Sequence, residues 1–118
     1  MMGSPVVHFE IGGPDHDALK KFYGDVFAWE IHDIPETNYS LVHTNADGKG
    51  IEGGMPVQEG PWVAVYIEVP DPQAALDKAV SAGAEVVMPV TEMPQVTLAL
   101  FKDPAGNTVG IVKAEPES

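Results

Sequence analysis

Hydrophobic and polar positions change period several times along the first half of the chain. Residues 6–11 alternate and are rich in β-forming side chains, which predicts a strand. Gly12-Gly13-Pro14-Asp15 interrupts the alternation as a turn, and Asp15 is placed to cap a helix behind it. Leu19, Phe22, Tyr23, Val26 and Phe27 then recur at helical spacing as one apolar stripe. Three short strands follow over 29–33, 39–45 and 50–55, separated by turn residues.

The second half repeats this order. Residues 62–69 predict a strand. Asp71-Pro72 places a capping carboxylate before a proline at the first helical position. Ala75, Leu76, Ala79 and Val80 form the stripe, and Gly83 stands where a helix ends. Three more strands are predicted over 85–90, 96–102 and 108–113, the last two joined by the turn Asp103-Pro104-Ala105-Gly106-Asn107. The halves align without a gap at an offset of 56 residues, with Pro14-Asp15 on Pro70-Asp71, Ala18 on Ala74, Phe27 on Gly83 and Ala28 on Ala84. Repetition of this kind organises the whole chain. It predicts an α+β fold of two tandem βαβββ modules, about 5–57 and 61–114, in a single domain 1–118. Two such sheets side by side can curl into one mixed sheet around a cleft, a favoured place for a ligand. A ferredoxin-like βαββαβ order would lack the third strand before each interruption.

Composition narrows the function classes. The 118 residues, 44% apolar, suffice for one core. No run approaches the roughly 18–20 apolar residues of a membrane span, and no secretory signal opens the chain. Cysteine is absent, which removes disulfides, thiol nucleophiles and thiolate metal sites and fits a cytoplasmic protein. The net charge is −12 and all six cationic side chains are lysines. Such a surface disfavours nucleic acid and anionic lipid, and no guanidinium is present to grip phosphate. Gly48-Lys49-Gly50 lacks the spacing of a phosphate loop, and no serine lies in a nucleophile elbow.

Four segments resemble the vicinal-oxygen-chelate superfamily, which includes glyoxalases, bleomycin-resistance proteins and extradiol dioxygenases. They are Val7-His8-Phe9-Glu10-Ile11, the helix end Phe22-Tyr23-Gly24-Asp25-Val26-Phe27-Ala28-Trp29, Gly50-Ile51-Glu52-Gly53-Gly54-Met55-Pro56, and the closing Asp103-Pro104-Ala105-Gly106-Asn107-Thr108-Val109-Gly110. The resemblance implies a homodimer and, in members that use one, a divalent metal (Ni, Co, Mn, Fe or Zn) held by one ligand from the first and one from the last strand of each module. Carried over by position, His8 falls at the first-strand ligand and Glu52 at the end-of-module glutamate of module one. The corresponding positions of module two fall on Ala64 and Gly110, which offer no donor.

Strand parity puts His8 with Glu10, then Ala64 with Tyr66 and Glu68, then Thr108 with Gly110 and Val112. His8, Glu10, Glu52, Tyr66, Glu68, Trp62 and Thr108 are therefore the candidate ligand-binding residues. His8, Glu52, Glu10 and Tyr66 are also the candidates for acid–base work. Each has a plainer reading. His8 can be satisfied by Glu10 or backbone, Glu52 can be a solvated loop carboxylate, and Tyr66 a core aromatic. Glu10 and Glu68 read first as carboxylates facing solvent or a lysine. His16, His32 and His43 read as surface or loop residues. Trp29, Phe22, Tyr23 and Phe27 read as helix-to-sheet packing. Trp62 and Met55 are placed to line the cleft or a dimer seam, and residues 86–96 to form a flap over it.

The incomplete ligand set favours a protein that binds a small molecule in the cleft without the full metal site. The alternative is a metal-dependent lyase, isomerase or dioxygenase of the same superfamily. A scaffold with a vestigial cleft is the third expectation.

Overall fold

Both helices begin where an aspartate can satisfy a free amide. The Asp15 carboxylate accepts from the Ala18 amide at 3.0 Å, opening α1 (His16–Phe27). Asp71 accepts from Ala74 at 3.1 Å, with Pro72 at the first position of α2 (Pro72–Ser81). The computed structural model describes residues 3–44 and 48–114. Its strands are β1 (Val6–Gly12), β2 (Glu30–Asp33), β3 (Tyr39–His43) and β4 (Gly53–Pro56), then β5 (Trp62–Val69), β6 (Glu85–Glu92), β7 (Thr97–Lys102) and β8 (Thr108–Lys113). The α+β class and the twofold βαβββ order are those the hydrophobic pattern predicts.

Two compact units result. One is His8–Val63; the other gathers the chain from Ala64 onward together with residues 3–7. Packing thus departs from sequence order at the N-terminus, where the Pro5 carbonyl accepts the Glu68 amide at 2.9 Å. In the first unit the strand order is β2-β3-β4-β1, with β1 and β4 parallel and the other pairs antiparallel. In the second the order is β5-β8-β7-β6, with β5 and β8 parallel.

The core of the second unit is Val69, Leu76, Ala99 and Ile111, with Ile67, Ala75, Val90 and Phe101 packed against it. Ile67 and Val69 share one face of β5, so Ala64, Tyr66 and Glu68 occupy the opposite face. In the first unit Val42, Met55 and Ser40 are fully enclosed. Phe9 lies against Trp29 at 5.6 Å, and Trp29 stacks on Tyr23 at 5.0 Å. His8 and Glu10 therefore leave the sheet on the face away from those rings. The predicted stripe of α1 is only partly used, since Phe22, Val26 and Phe27 stay more than half exposed.

Several strand boundaries move for physical reasons. The strand predicted from residue 50 starts only at Gly53, because Gly48 and Gly50 take positive φ (83° and 78°), which a ladder does not accommodate. The strand predicted over 39–45 ends at His43, and its last residue, Asn45, lies outside the described residues. The segment 86–96, expected as a flap, is for most of its length β6 paired with β7. Its register shifts on either side of Met88, before Pro89, whose missing N–H cannot join a ladder. Met55 is not a cleft residue either. It sits opposite Ser40 and is completely buried.

Candidate functional site

The first unit aims a histidine, a carboxylate and two aromatic groups from one face of its sheet. His8 and Glu10 share parity on β1. His8 Nε2 lies 2.8 Å from the Tyr39 hydroxyl. Burial pushes the His8 imidazole below its ordinary pKa, and the neighbouring Glu10 pulls it part of the way back. A neutral imidazole results at pH 7, able to exchange a hydrogen bond with Tyr39 in either direction. Glu10 is buried and accepts from Trp62 Nε1 at 2.9 Å. That partner corrects the expectation of a solvent-facing or lysine-paired carboxylate: the indole N–H supplies the bond that burial requires.

Strand register identifies the positions that match between the units. Phe9 and Glu10 pair with Gly53 and Gly54, while Val65 and Tyr66 pair with Val109 and Gly110. Each residue of the second set is 56 places after its counterpart. The equivalent of Gly110 in the first unit is therefore Gly54, and Glu52 precedes it by two residues. A side chain at Gly54 would collide with the Tyr39 ring and hydroxyl, and one at Gly110 with the Tyr66 ring. Tyrosines thus fill the space of both end-of-module positions. Tyr66 is buried on the same face as Ala64, which is itself only 2% exposed.

Glu52 belongs to a different neighbourhood. Its Oε2 lies 2.6 Å from His43 Nδ1, and both side chains are about half exposed. The structure brings His8 together with Glu10 and Tyr39, and Glu10 with Trp62; it leaves Glu52 with His43. Glu68 and Thr108 are half-buried in the second unit. Tyr39 was not among the sequence candidates, because its partner stands 31 residues away and no local spacing marks it.

His16 is not the plain surface residue that its place at a helix start suggests. Its Nε2 lies 3.0 Å from the Ser40 hydroxyl, which donates to Asp33 at 2.6 Å. The single hydroxyl proton goes to Asp33, so His16 must be the donor to Ser40. This polarity is opposite to that of an activated serine, and Ser40 is wholly buried. Ser40 and Lys20 hold Asp33 below the usual carboxylate range, the Ser40 bond contributing most. The group ties α1 to β2 and β3.

A four-ligand metal does not fit these residues. In the first unit His8 Nε2 already meets Tyr39, the Gly54 position is filled, and Glu52 lies with His43. In the second unit Ala64 and Gly110 bring no donor. Among the described residues, no three histidine, aspartate or glutamate side chains are grouped to hold an ion. The arrangement suits hydrogen bonding and stacking to a bound molecule, or proton exchange through a neutral imidazole.

A model of the Glyoxalase/Bleomycin resistance protein/Dioxygenase superfamily matches residues 6–111. Two curated relatives, both named "Putative glyoxylase CFP32", from Mycobacterium bovis and Mycobacterium tuberculosis, are 33% identical over 109 residues. The match covers 85% of this chain and 42% of theirs, so the chain spans less than half the length of those relatives. Among solved structures, methylmalonyl-CoA epimerase from Mycobacterium tuberculosis has a TM-score of 0.66 at 15% identity, covering 98% of this chain and 94% of that one. A superfamily member from Vibrio splendidus has a TM-score of 0.66 at 16% identity, covering 95% and 100%. At such identities the likeness is one of fold.

Proposed function

Because the chain belongs to the Glyoxalase/Bleomycin resistance protein/Dioxygenase superfamily, with Ala64 and Gly110 at two positions where the resemblance expects ligands, we propose that it binds a small molecule without the superfamily metal. The observation that carries this reading is the placement of Tyr39 over Gly54 and Tyr66 over Gly110. Where a metal-binding member would need a carboxylate, this chain has a tyrosine ring. His8, Glu10, Tyr39 and Trp62 then orient the ligand in the first unit. Tyr66, Glu68 and Thr108 are their counterparts in the second.

The chemistry of these groups favours a planar or apolar compound, neutral or cationic. Aromatic faces stack on such molecules and attract positive charge. The surplus of twelve negative charges repels anions. A cytoplasmic homodimer is part of the reading, and light scattering tests the dimer.

The test is a thermal-shift screen of planar aromatic compounds, neutral and cationic, run in excess chelator. Hits retained in chelator and weakened at least about tenfold by Tyr39→Ala or Trp62→Ala support the proposal; that loss matches the stacking energy of ~1–3 kcal/mol. Ligand binding that needs an added divalent ion, and disappears in His8→Ala, would overturn it.

A further inference from the structure

The two histidines on the outer strands of the first unit stand together in a way that the reading above does not use. Glu30 on β2 pairs directly with His43 on β3, and His32 pairs with Leu41. His32 is thus a diagonal neighbour of His43 on one face of the sheet. Their ring centroids are 5.3 Å apart, with the planes tilted by 61°. Bonds of about 2.0–2.1 Å from a tetrahedral zinc would set two imidazole centroids ~5 Å apart.

Each ring also has a carboxylate beside one of its nitrogens. His32 Nε2 lies 2.9 Å from Glu30 Oε1, and His43 Nδ1 lies 2.6 Å from Glu52 Oε2. With the carboxylates beside Nε2 of His32 and Nδ1 of His43, the ring nitrogens that would meet an ion are Nδ1 of His32 and Nε2 of His43. A carboxylate behind an imidazole, fixing its tautomer and raising its basicity, is the usual support of a metal-bound histidine. All four side chains are between 43% and 58% exposed, so a hydrated ion reaches them without any opening of the fold.

We propose that His32 and His43 form a two-imidazole site for an exchangeable divalent transition-metal cation, with Glu30 and Glu52 as the supporting carboxylates. Water completes the coordination, in keeping with the absence of any group of three such ligands among the described residues. Nitrogen donors and an incomplete shell favour Cu2+ and Ni2+ over Mn2+. The two imidazoles stand at none of the superfamily's ligand positions, and the site stands independently of the small-molecule reading.

The experiment is isothermal titration of the chelator-stripped full chain with Cu2+, Ni2+ and Zn2+, with imidazole 15N shifts followed in parallel. One cation per chain is expected, with Cu2+ bound most tightly and the His32 and His43 imidazole resonances moving. His32→Ala or His43→Ala each weakens binding by at least about tenfold, and Glu52→Gln by about tenfold, the low end for a lost supporting carboxylate. His8→Ala leaves the affinity unchanged. Absence of heat and of imidazole shifts, or binding that survives both outer-strand substitutions, overturns this site and leaves the small-molecule reading standing. Binding lost in His8→Ala and retained in His32→Ala overturns both.

Discussion

At the scale of single residues, burial decides what His8 and Ser40 can do. A half-buried His8 resists protonation, so below its ordinary pKa of about 6.5 the folded chain holds fewer protons at this site than the unfolded chain. Its contribution to stability is complete above that value and is lost as pH falls from there toward the lowered folded pKa. Replacing Glu10 by Gln removes a charge that raises it. The His8 pKa, read from imidazole Cε1–H shifts, should therefore fall further below the parent value in Glu10→Gln, and a rise would contradict the assignment. Ser40→Ala strips Asp33 and His16 of a buried partner, with an expected cost of about 1–3 kcal/mol in urea unfolding. A change under about 0.5 kcal/mol, the range of featureless surface substitutions, would show that the network carries no load. Neither arrangement was legible in the sequence. His8 could be singled out by its motif position, but its partner Tyr39 and the His16–Ser40 pair are separated by 31 and 24 residues. Pairings of that range are set by strand register rather than by local spacing.

At the scale of elements, the helix ends show where repetition holds and where it slips. In the second unit Gly83 takes φ of 110°, its amide bonds the Val80 carbonyl, and the Ala84 amide reaches back to Ala79 at 2.9 Å. In the first unit the left-handed residue is Ala28, at φ of 60°. The gapless repeat sets Ala28 against Ala84, so the two helix ends differ by one place. An alanine pays for the left-handed conformation with strain of about 1–2 kcal/mol, partly offset by the greater unfolded-state freedom of glycine. Ala28→Gly should therefore raise stability by up to about 1 kcal/mol, whereas Gly83→Ala should lower it by about 1–2 kcal/mol. Thermal unfolding of both variants checks the pair, and the same sign in both would contradict it. Helix starts were readable because Asp15, Asp71 and Pro72 act within their own turn. The turn Asp103–Asn107 was readable for the same reason: Asp103 accepts from the amides of Ala105 and Asn107, each at 2.9 Å. Strand ends near Gly48 and Gly50 were not, since glycine alone does not fix which sign of φ it adopts.

At the scale of the whole molecule, the repeat explains the superfamily likeness and bears on the proposed metal-free binding. Equal register in the two units makes Gly54 and Gly110 equivalent, and each lies under a tyrosine ring. The two tyrosines come from unrelated places in their units, Tyr39 from β3 and Tyr66 from β5. The two rings thus occupy equivalent space from non-equivalent positions. That Ala64 and Gly110 fall at expected ligand positions could be read from the sequence; the rings over Gly54 and Gly110 could not, because they depend on where distant side chains fall. Under the proposed function, no metal is held at the superfamily's positions. This is tested most directly by titrating Ni2+, Co2+, Mn2+, Fe2+ and Zn2+ into chelator-stripped protein carrying His32→Ala and His43→Ala, with and without a further His8→Ala. No tight binding in either protein is the predicted result. Tight binding at one ion per chain, abolished by His8→Ala, would contradict it.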